Sequence, residues 1–276
     1  MLKRIITAIV SIAIFIPVCI FSDTIVFPIA ISILSFIGVY EMSKCLGYHK
    51  NFVLTIPMYI AALGLPIIRY IQTLLGANNR DFLGIAMTIL FGILIFDLAY
   101  VMFRKNKDKL GDVLSFFALN MYVIGCFSSI YMVRTGRDGD FMYLLVFIGP
   151  WVCDTFAYFT GKLLGKHKLI EEISPKKTIE GSIGGIIFTI IAFIVFGLIV
   201  NNCLSAGISY IKLGILGLIV SIVSQIGDLI ASAIKRQHDV KDYGFIFPGH
   251  GGVLDRFDSV LLTAPVLFVI NTLLNF

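Results

Sequence analysis

Acidic side chains near the ends of two long apolar segments have the type and spacing needed to bind a metal ion. Asp228 lies in the last turns of one segment, and Asp255 and Asp258 open the next. Asp255 and Asp258 are three residues apart, so they share one face of a helix. Carboxylates brought together in a low dielectric repel one another unless a cation lies between them. Because no Cys or His cluster accompanies them, these oxygen ligands favour Mg2+ or Mn2+ over zinc.

A structural role for the same acids is the alternative. It would pair Asp228 with Lys235, or Asp255 with Arg256. Ser232 follows Asp228 at helical spacing and extends a polar face, which favours a functional site over a simple ion pair.

Two more carboxylates lie inside apolar segments, where a charged side chain costs about 2.5 to 3.5 kcal/mol. Asp154 follows Trp151 at a depth too great for free hydration, and it joins the metal-ligand candidates beside a structural alternative. Asp97 lies close to the basic cluster 104–109 and is expected to reach water or pair with that cluster.

The connection KRQHDVKDYGFIFPGHGG, which lies between the two acidic segments, combines cationic side chains with glycines. A glycine-rich turn entering a helix offers backbone N–H groups to phosphate. His250 is a candidate acid, base or phosphate donor, and equally a donor that stabilises the turn. The Walker A pattern is absent, which excludes a P-loop mechanism. The candidate residues of this connection are Lys235, Arg236, Lys241, Gly249, His250, Gly251, Gly252 and the following Arg256.

A second candidate phosphate site is the segment SPKKTIEGS, which precedes another apolar run. Ser174, Lys176, Lys177 and Thr178 would place two ammonium groups and two hydroxyls at a helix N-terminus. The alternative is that the lysines only anchor the chain at the cytoplasmic face of a membrane, as Lys162, Lys166 and Lys168 are expected to do.

The elements that position these residues are apolar segments of membrane-spanning length. Of 276 residues 58% are hydrophobic and 14% charged, with a mean hydropathy of +0.95, whereas a soluble domain carries about 25% charged residues. We predict an all-α, polytopic integral membrane protein with about nine transmembrane helices. The predicted spans are 5–21, 24–40, 52–75, 82–103, 112–133, 141–161, 183–200, 211–233 and 256–274. The GxxxG spacing from Gly181 to Gly185 indicates close helix packing.

Charge is distributed by topology and not on a nucleic-acid-binding face. With nine spans, seventeen Lys and Arg fall on the side of the N-terminus and four on the other side, at Arg80, Arg134, Arg137 and Lys212. The N-terminus is therefore predicted to be cytoplasmic and the C-terminus external. Residues 1–135 form an N-terminal transmembrane region and residues 136–276 a C-terminal catalytic region. The site is expected at the cytoplasmic ends of the C-terminal helices.

The segment SAIKRQHDVKDYGFIFPGHGGVLDRFD, from Ser232 to Asp258, resembles the signature of the bacterial CDP-diacylglycerol synthases, also called phosphatidate cytidylyltransferases. The surroundings of Asp228 (QIGDL), the SPKKTIEG segment and the surroundings of Asp154 (DTFAY) also resemble elements of this family. The resemblance covers roughly the C-terminal half of the chain, and the first five predicted spans are generic.

The resemblance implies transfer of CMP from CTP to phosphatidic acid, with Mg2+ required and a second cation left open. It also implies a homodimer in the cytoplasmic (inner) membrane. Asp228 and Asp255 carry over as metal ligands, with Asp258 as a further candidate. The chemistry agrees, because the lipid phosphate is already a nucleophile and needs only charge relief and alignment. CTP cannot enter lipid and phosphatidate cannot leave it, so the site must lie at the cytoplasmic interface.

Two other functions remain as alternatives. A CTP-dependent lipid kinase would use a similar metal and lysine set but release CDP instead of pyrophosphate. A cation-coupled transporter would also explain acids within spans, although its acids are expected near the middle of the bilayer and these lie at one face. The DGxxAR motif of CDP-alcohol phosphotransferases is absent.

Overall fold

A computed structural model describes residues 2–103, 109–204, 206–249 and 251–274, and this part of the chain is almost entirely helical. The elements in chain order are α1 (Leu2–Ile20), α2 (Val26–Cys45), α3 (Phe52–Leu74), α4 (Asn79–Phe103), α5 (Leu110–Arg134), α6 (Gly139–Leu164), β1 (Lys168–Ile170), β2 (Ser174–Thr178), α7 (Ile179–Leu204), α8 (Tyr210–Gln237) and α9 (Leu254–Leu274).

Each helix of the described residues coincides with one of the predicted apolar segments. Seven of them, α2 to α8, are long and apolar enough to cross a membrane. Helices form in such segments because the lipid interior offers the backbone no other hydrogen-bond partner. The polytopic all-α prediction is confirmed, whereas the crossing of the membrane by α1 and α9 stays a prediction.

A short antiparallel hairpin between α6 and α7 was not predicted from the sequence. Strand β1 pairs with β2 in a register that places Lys168 opposite Thr178 and Ile170 opposite Ser174. The strands have three and five residues, too few to show a clear alternation of polar and apolar side chains.

The chain forms two compact units. The first unit comprises Met1–Met132 and Val240–Arg256, and the second comprises Val133–Asp239 and Phe257–Phe276. The predicted division into residues 1–135 and 136–276 stays a prediction. The motif-bearing segment Val240–Arg256 belongs to the first unit, together with Met1–Met132.

Within the second unit, glycines allow α7 to lie directly against α6. A Cβ atom on Gly181 would lie 2.6 Å from the carbonyl oxygen of Ala157, and one on Gly185 would lie 3.0 Å from that of Cys153. Helix α7 also packs closely against α8, where a Cβ atom on Gly217 would lie 3.0 Å from the Cα of Ile190. The close packing predicted from the GxxxG spacing therefore occurs within the chain.

Candidate active site

Three carboxylates of the second unit, Asp154 on α6, Asp228 on α8 and Asp258 on α9, form what we call the acidic cluster. Asp228 forms an ion pair with Lys177 of β2, in which both side chains are about three-quarters buried. The hydroxyl of Ser232 donates to Asp228 Oδ1 at 3.3 Å. Helix α8 and the hairpin are thus joined by a charge pair that the sequence had placed in two separate motifs.

Asp258 and Asp154 are linked through a serine. Ser259 Oγ donates to Asp154 Oδ2 at 2.9 Å, while its backbone N–H donates to Asp258 Oδ1 at 2.9 Å. The charges of Asp228, Asp154 and Lys235 all act on the Asp258 carboxyl. Ser259 is buried, and its role was not predicted because a single serine in an apolar helix is common.

Helices α8 and α9 approach closely at the acidic cluster. A Cβ atom on Gly227 would lie 2.9 Å from the carbonyl oxygen of Asp258. This glycine lets the last turns of α8 meet the first turns of α9, and it brings Asp228 and Asp258 into one neighbourhood. The structure therefore gathers acids from the last two helices, with Asp154 added from α6.

The hairpin is fastened to the start of α7. Glu180 accepts hydrogen bonds from the backbone N–H groups of Lys166 and His167, at 3.1 and 3.3 Å, and lies 2.7 Å from His167 Nδ1. Thr178 Oγ1 accepts from the N–H of Gly181 at 3.1 Å and so caps α7. The hairpin is therefore held at its base, which fixes the position of Lys177.

The other predicted residues of the hairpin and of α8 have different surroundings. Lys176 and Arg236 are exposed, while Ser174 and Lys235 are half-buried. A neighbouring polar contact joins α7 to α8, since Ser182 Oγ donates to Gln225 Oε1 at 2.5 Å.

The oxygen ligands of the acidic cluster suit Mg2+, although no complete metal site is preformed. Among the described residues, no three His, Cys, Asp or Glu side chains are grouped closely enough to hold an ion. Mg2+ is commonly bound by one or two carboxylates together with substrate phosphates and waters. The residues of the acidic cluster therefore fit a Mg2+ ion that arrives bound to a nucleotide. The prediction that Asp228 and Asp255 share one ion concerns residues of different units and stays a prediction.

In the first unit, Asp255 lies in the first turn of α9 and holds the loop that precedes this helix. Its Oδ2 accepts hydrogen bonds from the backbone N–H groups of Tyr243 and Gly252, at 2.8 and 3.0 Å. The side chain is buried. One oxygen of this predicted metal ligand therefore has a structural function.

Glu41 of α2 holds the same turn from the other side. Its two carboxylate oxygens accept from the N–H groups of Val253 and Leu254, at 3.0 and 2.9 Å. With Gly252 bonded to Asp255, the amides of residues 252–254 are all engaged by protein carboxylates. The Gly252 N–H is therefore engaged by a protein carboxylate in this structure, while phosphate binding by the glycine-rich turn stays a prediction. Glu41 was not predicted because it lies one residue beyond the predicted span 24–40, where an acidic side chain carries no membrane penalty.

The turn before α9 is closed by a hydrogen bond from Phe247 N to the carbonyl oxygen of Gly251, at 2.9 Å. Gly249 and Gly251 have φ angles of 79° and 86°, a region that side chains rarely adopt, so these glycines serve the turn itself. Lys241 and Arg256 are exposed. The predicted role of His250 lies outside the described residues.

Comparison with known proteins gives the family. The model of the cytidylyltransferase family matches residues 2–274. The chain belongs to the cytidylyltransferase family. Among curated relatives, phosphatidate cytidylyltransferases from Staphylococcus saprophyticus and Staphylococcus haemolyticus are both 35% identical to this cytidylyltransferase, over 267 and 268 residues and 97% of each chain. One from Bacillus subtilis is 40% identical over 188 residues, which cover 67% of this chain and 68% of the relative.

Proposed function

We propose that this protein transfers CMP from CTP to phosphatidate, forming CDP-diacylglycerol and releasing pyrophosphate. Family membership and the names of the relatives support the reaction. The structural observation that carries it is the acidic cluster paired with Lys177, with the charge of Lys235 acting on it. Carboxylates and ammonium groups in one place are what a reaction between two phosphate compounds requires.

The bond changes need no nucleophile from the protein. An oxygen of the phosphatidate monoester attacks the α-phosphorus of CTP, and the bond from that phosphorus to the β-phosphate oxygen breaks. The electron pair leaves with pyrophosphate. Both reactants are anions, so catalysis consists of holding them in line and offsetting their charge.

Lys177 is the cation best placed to offset that charge. It is held beside Asp228 by the anchored hairpin, so an incoming phosphate would compete with the carboxylate for the ammonium group. Lys235, which follows Asp228 on α8, adds a second positive charge near Asp258. Lys176, Arg236, Lys241 and Arg256 are exposed cations, for which the predicted roles toward the phosphates stay proposals.

We also propose that Mg2+ is held by Asp228 and Asp258, with Asp154 as a further ligand. When bound, the ion supplies charge neutralisation for the nucleotide phosphates. Ser232 and Ser259 orient the carboxylates by hydrogen bonds to Asp228 and Asp154. Asp255 remains a predicted metal ligand, in addition to accepting hydrogen bonds from two backbone amides of the preceding loop. A second cation, a homodimer and a cytoplasmic N-terminus belong to the same proposal.

Purified protein in mixed micelles tests the reaction. With CTP, phosphatidate and Mg2+, we expect equal amounts of pyrophosphate and CDP-diacylglycerol, and neither product from Asp228→Asn. Release of CDP with formation of a phosphorylated lipid would instead identify a CTP-dependent kinase. No consumption of CTP by a folded wild-type protein would reject both reactions.

A further inference from the structure

Glu41 is a buried acid in an apolar helix, and its carboxylate accepts hydrogen bonds from the motif-bearing segment Val240–Arg256. Only 1% of its surface is exposed. Its two oxygens accept one backbone N–H each, from Val253 and Leu254, at the first turn of α9. A carboxylate is well suited to this place because the N-terminus of a helix has unpaired N–H groups and a partial positive charge.

Two glycines of the segment face the same carboxylate. A Cβ atom on Gly244 or on Gly252 would overlap Glu41 Oε1. These glycines therefore leave room for the Glu41 side chain, which gives them a reason other than close approach to a phosphate. Three separate points of the segment, at residues 244, 252 and 253–254, meet one side chain.

Glu41 is badly placed to act on a substrate itself. Both of its oxygens are bonded to the backbone, and the side chain is closed off from solvent. Its effect on the reaction must therefore pass through the segment that it holds. That segment carries Lys241 and Asp255, and Asp255 Oδ2 is bonded to two amides of the same turn.

We propose that Glu41 is a positioning residue for the reaction: it fixes the turn that opens α9 and so sets the orientation of Asp255. Without its carboxylate, two buried N–H groups lose their partners, and the turn can move relative to α2. The effect on activity rests on the proposed function, whereas the effect on the order of the turn does not.

Hydrogen–deuterium exchange of the purified protein measures the order of the turn directly. Glu41→Gln is a nearly isosteric change that keeps one acceptor oxygen and replaces the other with a donor. We therefore expect at least one of the amides of Val253 and Leu254 to exchange at least tenfold faster than in the wild type. The peptide covering 179–204 should be unchanged. If both amides of the variant exchange at the wild-type rate, the proposal is overturned.

Activity separates positioning from a general loss of structure. In Glu41→Gln we expect kcat to fall at least tenfold while the KM for phosphatidate and the thermal midpoint stay close to wild type. A fall in the thermal midpoint that accounts for the lost activity would assign Glu41 to stability alone. If the wild type itself does not turn over CTP, the exchange result still decides whether Glu41 orders the turn.

A double-mutant cycle tests the contact from the other side. Gly252→Ala in the wild-type background should also speed exchange at Val253 and lower kcat, because the new methyl group collides with Glu41. In the Glu41→Ala background the same change should have at most a twofold effect, since the carboxylate is gone. Gly64→Ala is the control, because a Cβ atom at Gly64 meets nothing within 4 Å. Equal effects of Gly252→Ala in both backgrounds would contradict the contact.

Discussion

The charge pair of Lys177 and Asp228 decides the electrostatics of the acidic cluster. Lys177 lies on strand β2 of the hairpin and Asp228 lies on α8, and their side chains form a direct ion pair. Lys176, its neighbour on β2, is exposed. Adjacent residues of one motif therefore have different surroundings.

We predict that Lys177→Gln lowers kcat/KM for CTP by about tenfold to a hundredfold. A hydrogen bond to a charged group contributes about 1.5 to 3 kcal/mol, and each 1.4 kcal/mol corresponds to a factor of ten. Steady-state kinetics of purified protein provide the measurement. Lys162→Gln, at an exposed lysine expected only to anchor the chain, should change kcat/KM less than threefold. An unchanged kcat/KM in Lys177→Gln would return Lys177 to the role of a membrane anchor.

A second residue prediction concerns Ser259, which joins Asp154 to the region of Asp258. Ser259→Ala removes one hydrogen bond, worth about 0.5 to 1.5 kcal/mol, so kcat should fall by about twofold to tenfold. Ser115→Ala is the control, because the exposed Ser115 hydroxyl donates to the carbonyl oxygen of Gly111 in its own helix. Unchanged turnover in Ser259→Ala would show that Asp154 needs no orientation by this serine.

At this scale the sequence singled out candidate acids and lysines because charged residues are rare in apolar segments. It did not identify their partners. Nothing in the pattern tells that Lys177 meets Asp228, that Ser259 meets Asp154, or that Glu41 reaches residues 212 positions or more further along. Such contacts depend on which faces of helices meet, and that is set by packing over the whole unit.

Among the elements, α7 is the one whose position depends most on small residues. It lies against α6 at Gly181, Gly184 and Gly185, and a Cβ atom at Gly184 would collide with the Thr160 side chain. The hairpin is capped onto the start of α7 through Thr178 and Glu180. The packing of α7 against α6 therefore determines the position of Lys177.

We predict that Gly184→Ala destabilises the protein by about 1 to 3 kcal/mol, the usual cost of an added methylene group in a packed interior. The thermal midpoint of the detergent-solubilised protein should fall. Gly92→Ala on α4 is the control, because a Cβ atom there meets nothing within 4 Å, and it should leave the midpoint unchanged or raise it. A lower midpoint for Gly92→Ala than for Gly184→Ala would contradict the packing account.

The helices themselves were predictable, since apolar length alone sets where a span must lie. The surroundings of the segment Val240–Arg256 could not be predicted from its position in the sequence. It follows α8 in the chain but belongs to the first unit, where it meets the carboxylate of Glu41. The hairpin was missed because short strands outside the membrane leave no periodic signal.

For the whole molecule, the asymmetry of Lys and Arg predicts which connections face the cytoplasm. The connection between α7 and α8 contains the exposed thiol of Cys203 and is expected outside. In whole cells, a membrane-impermeant maleimide should label Cys203. In a Cys203→Ser background, a Cys placed at position 176 should be labelled only after the membrane is opened. The reverse pattern would invert the topology and place the hairpin away from cytoplasmic CTP.

The central claim, nucleotidyl transfer to a lipid phosphate, is tested most directly by following two labels of CTP. Purified protein is incubated with phosphatidate micelles and CTP labelled on either the α- or the γ-phosphate, with Asp228→Asn in parallel. We predict that the α label enters the lipid, that the γ label appears only in pyrophosphate, and that neither enters lipid with the variant. Transfer of the γ label to lipid, with the α label left in CDP, would contradict the account.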